Sequence, residues 1–81
     1  MYLEIVTPDK KIFTGEIRLI RLPGSKGSFE ILENHAALIS TLEEGPVRII
    51  DKAGEVHNFN ISKGVVECLE NNIVVLVESK K

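Results

Sequence analysis

Eighty-one residues leave room for one domain with a single core, and a chain this short buries only about 60–65% of its unfolded surface. Ten basic and twelve acidic residues leave a formal charge of −2. With no basic face and no run of stacking aromatics, the composition speaks against nucleic acid and against anionic lipid as partners. Hydrophobic content is 43% but aromatic content only 5%, without Trp, so β-branched aliphatic residues must fill the core. One cysteine cannot form an internal disulfide. Cys68 sits in the apolar run Val65-Val66-Glu67-Cys68-Leu69 and reads as a small core residue of a protein from a reducing compartment. Met1 leads directly into a strand pattern, so no leader is expected. The longest apolar run, Ile73 to Val77, is far short of a membrane span.

In chain order, Leu3 and Ile5 alternate with Glu4, and Thr7-Pro8-Asp9 closes this first strand. Lys11 to Leu22 is a longer extended stretch. Its alternation slips at Leu19-Ile20, with Ile17 and Leu19 on one face and Ile20 and Leu22 on the other. A one-residue slip inside a regular strand predicts a β-bulge, or a strand passing from one sheet to a second. Phe29 and Ile31 alternate with Ser28 and Glu30, and Val47 and Ile49 flank Arg48 after the Gly45-Pro46 break. Asp51-Lys52-Ala53-Gly54 reads as a tight hairpin connection. His57, Phe59 and Ile61 then line one face, with Asn58 and Asn60 on the other. Ser62-Lys63-Gly64 and Glu70-Asn71-Asn72 are further turns. Ile73 to Val77 is apolar on both faces, which suits a strand that is central in a sandwich or covered by a partner.

His35 to Glu44 fits helix and strand about equally: Asn34 can cap a helix there and Gly45 can end one. Turn signals every eight to twelve residues elsewhere predict one all-β domain over residues 1–81. Its expected form is a small antiparallel β-sandwich of about eight to ten short strands.

The stretch Leu22 to Ser40, LPGSKGSFEILENHAALIS, resembles the signature of the epsilon subunit of rotary ATP synthases, usually Leu-Pro-Gly-x-x-Gly-x-Phe-Gly-Ile-Leu-Pro-x-His-Ala-Pro-Leu. The likeness continues through LEIVTPDKKIFTGEI, GPVRII and ISKGVVECLENNIVVLVE, and so covers the chain. Glu30, Glu33, Ala37 and Lys63 depart from the usual Gly, Pro, Pro and Gly, which bears on the turn around Glu33-Asn34. The resemblance favours a strand within His35 to Glu44, with Leu38 and Leu42 facing away from Ile39 and Thr41. Family members commonly continue into a helical hairpin that this sequence lacks, and the expectation is of a naturally short form without that inhibitory element.

The resemblance further implies a non-catalytic rotor subunit of the central stalk, without cofactor or metal. It would link the gamma subunit to the c-ring, peripheral on the cytoplasmic face of the cell membrane and held there only through the complex. It implies a gamma contact at His35, Ala37, Ser40 and Thr41, and a c-ring contact at Ser25, Lys26, Gly27 and Ser28.

The residues themselves offer little rival chemistry. The spacing of Pro23 to Ser28 is wrong for a phosphate loop, and a strand follows where a helix would be needed. Two histidines without Cys or carboxylate at ligand spacing make a weak metal case. Ser40 or Cys68 beside His35, with Glu33 as an orienting acid, lacks any nucleophile frame. The other reading is a free-standing small β-barrel that binds a ligand or an oligonucleotide, which requires a basic or aromatic groove.

Overall fold

The computed structural model describes residues 1–79. Eight strands account for its regular structure, and there is no helix among the described residues. They are β1 (Tyr2–Val6), β2 (Lys11–Gly24), β3 (Gly27–Leu32), β4 (Leu38–Leu42), β5 (Gly45–Asp51), β6 (Val56–Ile61), β7 (Gly64–Leu69) and β8 (Asn72–Val77).

The ladder runs β1-β8-β7-β4-β2-β5-β6, with β3 beside β2 and a second pairing of β1 with β2. All pairs are antiparallel except β1–β8, which run parallel. Strand β2 joins the two halves. Its first part, Lys11–Glu16, pairs with β1; its second part pairs with β5 from Ile17, with β3 from Leu19 and with β4 at Gly24.

The expected slip is where β2 changes partners. Ile17 and Leu19 lie opposite the adjacent residues Asp51 and Ile50, so Arg18 is the extra residue of a bulge. The extra residue puts Ile17 inward as well as Ile20 and Leu22, all three buried, while Leu19 points out. An unbroken period of two cannot bury positions 17 and 20 together.

Inward-facing residues of all eight strands close one core: Leu3 and Ile5 from β1; Ile17, Ile20 and Leu22 from β2; Ile31, Leu42, Val47, Ile49 and Ile61; Val66 and Cys68 from β7; and Ile73, Val75 and Val77 from β8. Every member is aliphatic except Cys68, and no polar or charged residue is buried among the described residues. Phe13, Phe29 and Phe59 pack at its rim.

The segment that sequence left open is a strand only from Leu38. Before it, the chain turns tightly at Asn34, where φ is 65° and the His35 N–H donates to the Leu32 carbonyl at 3.1 Å. The Asn71 side chain accepts from the Asn34 backbone N–H at 2.7 Å and donates to Asn34 Oδ1 at 3.2 Å. This clasp ties the β3–β4 turn to the β7–β8 turn. The Pro usual at position 33 is therefore dispensable here: side-chain hydrogen bonds hold the geometry.

Candidate docking surfaces

The two patches named from sequence meet. Ser25 donates its backbone N–H to the Thr41 carbonyl at 3.1 Å, and the Ser25 and Thr41 hydroxyls are 2.8 Å apart. A shallow depression of about 590 Å³ runs between the β2–β3 turn and β4, lined by Ser25, Lys26, Gly27, Ser28, Ser40 and Thr41 among others. The turn is tight because Gly24 and Gly27 are cross-strand partners with only Ser25 and Lys26 between them. A Cβ on Gly24 would come within 2.8 Å of the Phe29 ring and 2.6 Å of the Gly27 carbonyl oxygen, so only glycine fits there.

The four residues on and before β4, His35, Ala37, Ser40 and Thr41, do not share an environment. Ser40 pairs with the fully buried Val66 and lies half-buried on the core side, its Oγ donating to the Thr41 carbonyl at 3.2 Å. Thr41 faces outward. His35 and Ala37 are exposed in the turn before the strand, where His35 Nδ1–H donates to the Ala36 carbonyl at 2.7 Å. That bond holds His35 beside its own backbone, and it is the one side-chain hydrogen bond of His35 among the described residues. Ala37 instead borders a depression with Ile39 and Leu69.

Sequence reasoning missed the surface that these residues edge. Across β4-β7-β8-β1, the register stacks Thr41, Val65, Leu76 and Val6 in one row, and Ile39, Glu67, Val74 and Glu4 in the next. Leu69, Asn72 and Tyr2 form a third. All point away from the core. Ile39 is 74% exposed, Leu69 55% and Leu76 50%. The two-sided apolarity of Ile73 to Val77 was the available signal. Strand β8 is central, its odd positions fill the core, and Val74 and Leu76 face out. These exposed aliphatic side chains, set among Glu4, Glu67 and Asn72, make the face a candidate interaction surface.

A second cluster, across the β5–β6 hairpin, also went unread. Asp51 accepts at Oδ2 from His57 Nε2–H at 2.9 Å and at Oδ1 from the Glu55 backbone N–H at 2.9 Å. The bond from His57, then that from Glu55, holds the Asp51 carboxyl below its usual range. The His57 ring meets Phe13 edge-on at 5.3 Å. One ligand atom each from Asp51, Glu55 and His57 lies within 4.8 Å of the others. The spacing at positions 51, 55 and 57 becomes a cluster only because a hairpin folds it. The Asp51 carboxylate is engaged by the His57 ring and the Glu55 backbone N–H and so clasps the hairpin, while the Glu55 side chain is exposed beside them. Cys68 is buried as expected, and burial pushes its thiol up.

Residues 1–80 match the family described as ATP synthase, Delta/Epsilon chain, beta-sandwich domain. The chain belongs to that family. It is 41% identical over 78 residues to an ATP synthase epsilon chain of Campylobacter fetus subsp. fetus (strain 82-40), covering 96% of this chain and 60% of that one. It is 42% identical over 76 residues to an ATP synthase epsilon chain of Sulfurimonas denitrificans (strain ATCC 33889 / DSM 1251), covering 94% and 58%. This delta/epsilon-family chain thus spans about 60% of the length of these curated relatives. Among solved structures, a chain of the Euglena gracilis mitochondrial ATP synthase OSCP/F1/c-ring superposes with a TM-score of 0.85 at 18% identity, covering 93% of this chain and 48% of that one. A chain of the Tetrahymena thermophila mitochondrial ATP synthase central stalk/c-ring gives 0.79 at 24%, covering 98% and 63%. At such identity these two show the shared fold. Of the two readings open from sequence, the family match supports the epsilon-type subunit and not the free-standing barrel.

Proposed function

We propose that this chain is the β-sandwich part of a non-catalytic central-stalk subunit of an F-type ATP synthase. It joins the gamma subunit to the c-ring, so that ion translocation and ATP synthesis stay coupled, and it lies on the cytoplasmic face of the cell membrane only through that assembly. The observation that carries this reading is the apolar outer face of β4-β7-β8-β1. A domain working alone gains nothing from leaving Ile39, Leu69 and Leu76 in water.

The gamma subunit covers this face and its β4 margin, where His35, Ala37 and Thr41 are presented outward and Ser40 supports the strand from behind. The Ser25-Lys26-Gly27-Ser28 turn meets the c-ring. A rotor part needs rigidity between two contacts, and the bulged β2, which belongs to both halves of the ladder, supplies it. Torque passes through hydrogen-bonded strands, not through a linker.

Calorimetric titration with a gamma-containing catalytic head tests the reading. Ile39→Glu should weaken binding by about 1–3 kcal/mol, as expected for a charge forced into a packed apolar contact. Asn58→Ser, on the other outer face, should leave it unchanged. Equal affinities for wild type and Ile39→Glu would remove this face from the contact.

A further inference from the structure

The outer face of β3-β2-β5-β6 carries a feature that the assembly reading does not use. Arg21 of β2 and Arg48 of β5 are direct cross-strand partners, which places their Cβ atoms about 4.5–5.5 Å apart on one face. Like charges so placed oppose the fold. Glu30, on the far side of Arg21, neutralises only that residue, at 3.3 Å from its guanidinium. Asn58 flanks Arg48 on β6, and Arg48 has neither an ion pair nor a side-chain hydrogen bond among the described residues. In a protein of formal charge −2, this is a local excess of positive charge that packing does not explain.

Its surroundings are shaped. Arg21 and Arg48 border a depression of about 370 Å³ walled by Pro23, Pro46, Ser28 and Asn58. One register row away, Leu32, Leu19, Ile50 and Val56 form a continuous apolar row across all four strands. Leu32 is 52% and Val56 47% exposed. Rows on one face lie about 6.7 Å apart, the length of two extended residues.

We propose that this face docks an acidic segment of a protein partner, with one carboxylate between the Arg21 and Arg48 guanidiniums and an aliphatic side chain two residues away on the Leu19–Ile50 row. A carboxylate presents two oxygens to two planar donors, the geometry in which arginine binds most strongly. It also relieves the cross-strand repulsion. The adjoining apolar row selects a peptide over a bare anion. This surface is separate from the face assigned to gamma, so its fate and that of the assembly reading are independent.

The test is an NMR titration of the ¹⁵N-labelled chain, following backbone amides and arginine Nε–Hε signals. The probe is the peptide acetyl-Leu-Ser-Glu-Ser-Leu-amide, compared with its Gln counterpart and with inorganic phosphate. Saturable shifts should appear at Arg21, Arg48, Leu19 and Ile50 with the acidic peptide. Arg48→Gln and Arg21→Gln, each with a well-dispersed spectrum, should weaken binding by about fivefold or more, and Lys63→Gln should not. Four results would overturn the proposal: no saturation at millimolar peptide, equal affinity for the Gln peptide, phosphate binding as tightly as the acidic peptide, or self-association of the chain through this face in sedimentation.

Discussion

Replacing Gly64 with Ala sets two effects of opposite sign against each other. Gly64 opens β7 and pairs with Val77 of β8 and Leu42 of β4. Removing a glycine ordinarily stabilises by about 0.4–1 kcal/mol, because the unfolded chain loses freedom. Here a Cβ would run into the Leu76 carbonyl oxygen and stand 2.9 Å from Val77 Cγ1 and 3.0 Å from Val77 Cα. The first and last of these are backbone atoms of β8. That strand is hydrogen-bonded on both sides, to β1 and to β7, so no rotamer change relieves the clash. Overpacking of this kind costs about 1–3 kcal/mol, at times more, and the clash wins. A net loss of about 1–2 kcal/mol is large beside the roughly 4–12 kcal/mol that 81 residues sustain at typical values per residue. It should lower Tm by about 4–16 °C. Urea and thermal melts followed by far-ultraviolet circular dichroism measure it. Gly27→Ala is the contrast: nothing lies within 4 Å of its Cβ, but φ is 124°, so its cost is conformational and its neighbours stay in place. Gly64→Ala as stable as wild type, or more stable, would refute the steric argument.

Three further outcomes are expected. Because hydrogen bonds from His57 and Glu55 hold the Asp51 carboxyl below the usual carboxylate range, its contribution is fully present well above that range and is lost as pH falls through the lower folded value. Asp51→Asn should destabilise near neutral pH and converge on wild type in strong acid, and a pH-independent difference in urea melts would contradict this. Cys68, buried and with its thiol pushed up, should react with Ellman's reagent at mildly alkaline pH only as fast as the chain opens. Labelling should quicken in Gly64→Ala, whereas native labelling as fast as that of the urea-unfolded chain would sink the assignment. Finally, Ser28→Cys should cross-link to c-subunit loops under mild oxidation in the assembled enzyme, and free reaction with soluble reagents there would exclude that orientation.

Alternation, turn chemistry and composition are local properties, and they determined the strands, their faces and the aliphatic core of this protein. The broken alternation around Leu19-Ile20 signalled a bulge without any coordinates, because a period of two cannot be broken silently, but only the register placed it at Arg18, where it parts Ile17 from Leu19. The Leu-Pro-Gly to His-Ala stretch identified the family, since turn residues and core residues recur there at fixed spacing. Sequence left His35 to Glu44 undecided because ten residues hold too few apolar positions to separate periods of 2 and 3.6. Only pairing with β7 made Leu38–Leu42 a strand. Only register could show that Ser40 turns inward, that Ser25 reaches Thr41, or that Asp51 clasps His57. The two outer faces are likewise products of assembly. Ile39, Leu69 and Leu76 come from three strands, and Arg21 and Arg48 stand 27 residues apart in the chain. A docking surface is a sum over neighbouring strands, and strand order is a long-range choice that no local window of this sequence contains.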